Sequence, residues 1–473
     1  MKTRIHRRRF LASGAAAIAV PFLSGQDTGA NVEIHVDPSR ALGKVPNDFL
    51  GFGYEISSVA VKGLLSPRNR VLLQYYRNLG PEGVVRIGGN TADWSVWSPD
   101  GQPVSAPKAT VTNTAVVKDL GDFLQATGWK LIWNLNLGNG SAESATDQAA
   151  AIADAVKDRL LCFQIGNEPD LFARSGHRPE SYSYSDYHQE FLRFASALRK
   201  RLPGAPLAGP DVAGATPWVK SFAEDEGKQL KLLTHHYYRA GQRQPAATIS
   251  NLLHTDARLV DILKQLRADS RACGIPYRVV EINSFSGGGK PGVSDTFTSA
   301  LWALDLLFTL SAYDCAGLNL ETGLNQLGFV SSYSPIFDDQ QGHFTARPSY
   351  YAMLAFAIAG RGKRIACDMS SSGANVTAYA ALDNNQHPWI TIINKDTSKG
   401  IRAAVSSTSS FHSAEVMRLS APSYDAKTGT RLAGAVVSSE GHWKPKNIDK
   451  LKQTDGRVVL NLEPASAALV KLN

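Results

Sequence analysis

Apolar positions along the chain fall into two textures. The segment NVEIHVDPS (31–39) alternates apolar and polar residues with the two-residue period of a half-buried strand. From there to about residue 350, short apolar runs alternate with longer stretches of helical period, the pattern of repeated βα units. The runs are FLGFGYE (49–55), GVVRIGG (83–89), KLIWNLNLG (130–138), LLCFQIGNE (160–168), PLAGPD (206–211), LKLLTHHYY (230–238), PYRVVEINS (276–284) and AGLNLETG (316–323). Helical patterns such as SYSDYHQEFLRFASALRKRL and DTFTSALWALDLLFTLSA lie between them. Eight strands separated by helices predict a (β/α)8 barrel. A doubly wound open sheet usually has fewer strands, and no G-x-G-x-x-G follows the first one here.

After YYAMLAFAIAG (350–360) the runs become short and β-rich, as in NVTAYAALD, PWITIIN, AEVMRLSAP, RVVLNLE and SAALVKL, with Gly, Asn and Asp turns between them. This predicts a catalytic barrel over 31–350 and an all-β sandwich over 351–473, with the strand at 31–37 available to either. No apolar run reaches the roughly 18–20 residues of a bilayer-spanning helix, which argues against stable membrane insertion.

Composition is that of a folded globular chain: 473 residues, 43% hydrophobic and 19% charged. The net charge of +8 raises the possibility of a nucleic-acid partner. Residues 1–30, however, hold Lys2, Arg4, Arg7, Arg8 and Arg9 against Asp27 alone, leaving four positive charges to the other 443 residues. No basic cluster of the kind a duplex-binding face needs appears in the body, so no nucleic-acid partner is expected. The basic stretch HRRRFLAS, followed by a weakly apolar run from Gly14 to Leu23, resembles a twin-arginine export signal, which predicts a bacterial periplasmic or secreted protein. A basic arm before a short helix is the alternative. Cys162, Cys273, Cys315 and Cys367 are widely spaced, form no CxxC pair and suggest neither a metal site nor a cofactor.

In barrel enzymes the catalytic groups project from the C-terminal ends of the strands. The polar residues there include Glu55, Arg86, Asp93, Asn134, Asn167, Glu168, Asp211, the HHYY segment 235–238, Glu281, Asn283 and Glu321. Glu168 and Glu281 each end a hydrophobic run, on strands four and seven, on the same face. A lone carboxylate at such a place is usually a surface group. Two of them supply what glycoside hydrolysis requires, one to protonate the leaving oxygen and one to attack the anomeric carbon.

YE, RIGGNTADW, LNLG, FQIGNEPDLF, HHYY, EINS, GGGKPGVSD and ARPSYYAMLAFA, in that order, resemble glycoside hydrolase family 79, which holds β-glucuronidases and heparanases. The resemblance implies a carbohydrate substrate, with Glu168 as general acid/base and Glu281 as nucleophile of a retaining, exo-acting enzyme. Asn167 would bond the sugar 2-hydroxyl and Glu55 other hydroxyls. Arg86 is expected beneath the nucleophile, and Tyr238 with His236 is the chosen frame of the HHYY segment for orienting it. His235 with Tyr237 fits the same pattern, and strand alternation lets only one frame face the pocket.

Two features separate a β-glucuronidase from a β-glucosidase or β-xylosidase on the same frame. The family's glucuronidases place a Tyr where this chain has Ser286, although Gly288, Lys290 and Tyr333 remain at matching positions. The expected His-Gly-Gly after strand eight is Glu321, Thr322 and Gly323. A carboxylate there would repel a glucuronate in the same pocket by a few kcal/mol at an effective dielectric near 20. The glucuronidase reading is favoured on family grounds, and a non-catalytic carbohydrate-binding protein is the alternative of another class.

Overall fold

Eight parallel strands close into a barrel in chain order: Gly51–Glu55, Val84–Gly88, Lys130–Leu135, Leu160–Ile165, Leu207–Val212, Leu230–Gly241, Tyr277–Ser286 and Leu318–Glu321. The computed structural model describes residues 30–104, 109–325 and 328–473. The segment carrying the export-signal reading lies outside the described residues, apart from Ala30.

The two-residue strand period stacks the barrel interior in layers. Val84, Ile132, Cys162, Ala208, Leu232 and Val280 form one apolar cluster. Two residues further along, the second, third and fourth strands carry Arg86, Asn134 and Gln164, all fully buried. A greasy plug therefore supports a polar floor. Helices wrap the outside, and their ends are satisfied locally: Asn69, Asn113, Ser141 and Asp256 accept backbone N–H groups at N-caps, and Ser183 with Asp186 closes a capping box.

The strand Ala30–Val45 leaves the barrel to the other domain. It pairs antiparallel with Gly362–Ser371 and parallel with Ile401–Ser407, inside a ten-stranded sheet. Val32, Ile34 and Val36 share a core with residues from both halves of that sheet, including Val405, Leu460, Val416 and Val470, so the sheet closes face to face as a sandwich. Its outer residues Trp389, Ile393, Leu419 and Leu469 belong instead to the barrel's core cluster. This double cover explains why helix Phe297–Ala312 is apolar all round. The helix Pro348–Ala359 packs in that core as well, so the boundary expected at 350 falls inside a barrel helix. All four cysteines are free thiols, and Cys162 and Cys315 are buried. Among the described residues, no helix is long and apolar enough to cross a membrane.

Candidate active site

The polar floor is organised by Arg86. Its Nη1 donates to Glu281 Oε2 at 2.7 Å, and its Nη2 donates to Asp211 Oδ2 at 2.8 Å and to Asn167 Oδ1 at 2.6 Å. Nε donates to Gln164 Oε1 at 3.3 Å. Asp211 in turn accepts from Asn134 Nδ2 at 2.8 Å and from Gln164 Nε2. His236 joins the network through Nε2, 2.9 Å from Asp211 Oδ1, and through Nδ1, 3.0 Å from Glu168 Oε1.

Three of these carboxylates sit on irregular backbone. Val280 belongs to the plug and its neighbour Glu281 to the floor, which strict alternation forbids. The pairing of strands six and seven shifts register between Val279 and Glu281, and that bulge re-aims the chain. Asp211 lies at a register shift between Pro210 and Val212, with φ of 63°. Glu168 also has positive φ, 51°, at the turn after strand four. Left-handed backbone at a non-glycine residue is uncommon and concentrates at functional sites.

Above the floor, Tyr238 donates to Glu281 Oε1 at 2.8 Å, so the nucleophile candidate is held from two sides. An oxygen of Glu168 lies within 4.8 Å of one from Glu281. Glu55 accepts from Thr91 N at 2.8 Å and Thr91 Oγ1 at 2.6 Å. Glu55, Glu168, Tyr238, Glu281, Ser286, Gly288 and Tyr333 line one cavity of about 730 Å³ together with Arg174, Arg239 and Arg258. Lys290 is exposed and lies outside that lining. The His236–Tyr238 frame faces the cavity. His235 is buried with neither ring nitrogen hydrogen-bonded among the described residues, and Tyr237 donates to Asp256.

The charges fall into a consistent order. Burial opposes ionisation of Asp211, but His236 and Arg86 outweigh it and hold the carboxyl at about 2. Burial likewise opposes charge on His236, and Asp211, Glu281 and the bond to Glu168 raise it to about 10. Glu168 is raised above the ordinary carboxylate range by burial and by the charge on Glu281, against the bond from His236. Burial and Glu281 lift Glu55 to about 7 despite the two bonds from Thr91. Burial and the Glu281 charge push the Tyr238 hydroxyl well above its usual range, so it remains a donor.

Glu168, His236 and Glu281 also place three potential ligand atoms within 4.8 Å of one another. Both His236 nitrogens already engage carboxylates, and an imidazolium has no lone pair to give a cation. The donor set fits an ion-pair network.

Sequence reasoning placed Asp211 on the shortlist but gave it no role, and gave Gln164 and Asp93 none. Asp93 accepts from the backbone N–H groups of Leu137, Gly138 and Asn167, tying together the loops that follow strands three and four. Asp211 ends PLAGPD, and an acid closing a barrel strand's run is the signal that could have found it; Asp93 sits in the segment RIGGNTADW, in the turn past the end of strand two. Arg174, Arg239 and Arg258 are far apart in sequence, and nothing in their local pattern points to a shared cavity.

No family model matches the chain. A β-glucuronidase of Aspergillus niger is 26% identical, over 92% of each chain. A heparanase of Mus musculus is 25% identical over 80% of this chain and 78% of its own. A 4-O-α-L-rhamnosyl-β-D-glucuronidase from Fusarium oxysporum superposes with a TM-score of 0.75 at 17% identity, covering 93% of this chain and all of that one. A family 51 arabinofuranosidase from Xanthomonas axonopodis follows at 0.70 and 16%, over 94% of this chain and all of its own. At those identities the two structures speak for the barrel-and-sandwich fold alone. The sequence relatives carry the function: the chain is a glycoside hydrolase, homologous to β-glucuronidases and heparanases.

Proposed function

We propose that the chain is a retaining, exo-acting β-D-glucuronidase in which Glu281 is the nucleophile and Glu168 the general acid and base. The supporting observation is the closeness of the two carboxyls across one cavity, with oxygens within 4.8 Å. Inverting enzymes hold their pair about 6.5–9.5 Å apart to admit a water, whereas retaining enzymes need about 5–5.5 Å.

In the first step Glu281 attacks the anomeric carbon and forms a glycosyl ester, while Glu168 gives its proton to the departing oxygen. In the second step Glu168, now a carboxylate, takes a proton from water as that water attacks the same carbon and releases Glu281. The proton on Glu168 is favoured while Glu281 is charged; forming the ester removes that charge and turns Glu168 toward base. Arg86 and Tyr238 orient Glu281 for attack, and Asn167, fixed by Arg86, is placed for the sugar 2-hydroxyl.

Arg174, Arg239 and Arg258 around the cavity favour an anionic sugar over a neutral one, because guanidinium groups suit carboxylates. Ser286, Gly288 and Tyr333 complete the wall on the side expected to meet the C6 substituent. Nitrophenyl β-glucuronide is expected to be hydrolysed faster than the matching β-glucoside and β-xyloside; a faster neutral glycoside defeats the uronate reading. NMR of the first product anomer is expected to give net retention, and initial release of the inverted anomer defeats double displacement. Release of single glucuronate units from chain ends distinguishes exo from endo action. The Arg7–Arg9 segment supports export: replacing the three arginines by lysine is expected to leave the precursor in the cytoplasm.

A further inference from the structure

Glu55, Glu168 and Glu281 line the cavity, Asp211 and Glu321 lie outside that lining, and of these five carboxyl groups all but Glu168 are buried. Arg86 reaches Asp211 at 2.8 Å and Glu281 at 2.7 Å, and His236 reaches Asp211 at 2.9 Å and Glu168 at 3.0 Å. Uncompensated charge in a dry interior is expensive, so a buried carboxyl with neither a cation nor a donor at hand keeps its proton. Glu168 holds the proton that the reaction uses, and Glu55 is steadied by two donors from Thr91.

Glu321 is placed differently. It is 2% exposed, and its Oε2 has no hydrogen-bond partner among the described residues. Its Oε1 accepts, among the described residues, a long contact of 3.4 Å from Gly323 N. The carboxyl fits because the adjacent strand offers Gly53, where a Cβ would stand 2.3 Å from Oε2. Among the described residues, a carboxylate there would have no donor on that oxygen, which is also closed off from solvent. The ionisable groups facing it are Tyr54 and Glu55 from strand one, Arg86 from strand two, Tyr238 from strand six, Glu281 from strand seven and Tyr333 beyond strand eight. Only one of them is a cation, and it is already engaged.

We infer that Glu321 works as a neutral carboxylic acid, and that its neutrality is what admits an anionic sugar to the cavity. Burial, Glu281 and Glu55 all raise its carboxyl well above the ordinary range, which agrees. Glu321 is thus a specificity-determining group acting by its lack of charge. The repulsion expected from a carboxylate after strand eight does not arise until the proton is lost. This inference rests on the uronate reading of the site.

The test compares D-glucuronate and D-glucose as competitive inhibitors of the wild type and of Glu321→Gln. At pH 6 the ratio of their inhibition constants is expected to differ between the two proteins by less than about threefold. A gain in glucuronate selectivity of about tenfold or more in the variant would show that a charge had been removed, and would overturn the inference. As pH rises into the alkaline range, the wild type should lose glucuronate selectivity by about tenfold while Glu321→Gln retains more of it; parallel loss in both overturns the inference too. Calorimetry of wild-type glucuronate binding at pH 6, in two buffers of different ionisation enthalpy, needs no variant to fold. Proton uptake near zero is expected, and uptake of about one proton overturns the inference. Failure of glucuronate to bind at all would bring down the uronate reading, whereas binding accompanied by that uptake would bring down this inference alone.

Discussion

Glu168 and Asp211, at the ends of neighbouring strands, both sit in left-handed backbone, and the Glu168 N–H donates to the Asp211 carbonyl at 2.9 Å. Their side chains meet again through His236, which lies between the two carboxyls. The acid/base candidate is therefore anchored to Asp211 by main chain and by imidazolium. Asp211→Asn removes the largest of the charges that keep His236 protonated, so the imidazole should titrate well below 10. An NMR titration of the His236 ring checks this, and kcat is expected to fall roughly 10²-fold. A His236 that still titrates near 10 in the variant would contradict the charge order described for the site.

Loss of the proton donor should depend on the leaving group. Glu168→Gln is expected to slow cleavage of an alkyl glucuronide by about 10²–10⁴-fold, and cleavage of a dinitrophenyl glucuronide much less, since that leaving group departs without a proton. Equal loss on both substrates would assign Glu168 a role other than acid catalysis.

How far this site could be read from the sequence follows from geometry. Each of the eight predicted runs overlaps one of the eight barrel strands, because a buried parallel strand is a continuous apolar run and needs no long-range information. Glu168 and Glu281 stood out because each interrupts such a run. The HHYY segment was ambiguous by one residue, and only the closed barrel decides which frame faces inward. Asp211 was harder: its importance comes from Arg86, Asn134, Gln164 and His236 on four other strands, and no local pattern carries that convergence. The same holds for Glu281, which strict alternation after the inward Val280 would have turned outward but for a bulge. Lys290 was matched by position in a motif, yet the turn that follows strand seven carries it to the surface.

The Glu55 carboxyl gives a pH-dependent stability with a definite sign. Burial and Glu281 raise it to about 7, above the usual 4.5, so the folded state holds its proton more tightly than the unfolded chain does. Its contribution is most favourable below pH 4.5, shrinks as pH rises to about 7 and is level beyond, a loss on the order of 3 kcal/mol. Glu55→Gln removes that slope. The variant is expected to gain melting temperature relative to wild type between pH 5 and pH 8 while losing activity. Parallel melting curves across that range would refute the assignment.

Gly88 makes room for Arg86. A Cβ at that position would lie 2.3 Å from the guanidinium carbon, so Gly88→Ala must displace the group that joins Glu281 to Asp211. Both melting temperature and kcat/KM are expected to fall, the latter at least tenfold. Because the damage runs through one side chain, Gly88→Ala should cost less stability in an Arg86→Ala background than in wild type, with a coupling of about 0.5–3 kcal/mol. Additive costs would locate the strain elsewhere.

The strand Ala30–Val45 precedes the barrel in sequence but lies inside the sandwich sheet, between Gly362–Ser371 and Ile401–Ser407. Val32, Ile34 and Val36 are each at most 1% exposed. Burying three such side chains contributes roughly 1.5–3 kcal/mol apiece, comparable in sum with the 5–15 kcal/mol that holds a typical protein folded. Removing residues 1–45 also leaves two strands with open edges. The same sheet covers helices Phe297–Ala312 and Pro348–Ala359, so the damage should reach the barrel. A chain beginning at residue 46 is expected to lose cooperative unfolding and activity together, and Ile34→Ala in the full chain to cost about 2–5 kcal/mol. A truncated chain that still hydrolyses glycosides with an unchanged melting temperature would show the barrel to be independent of the sandwich.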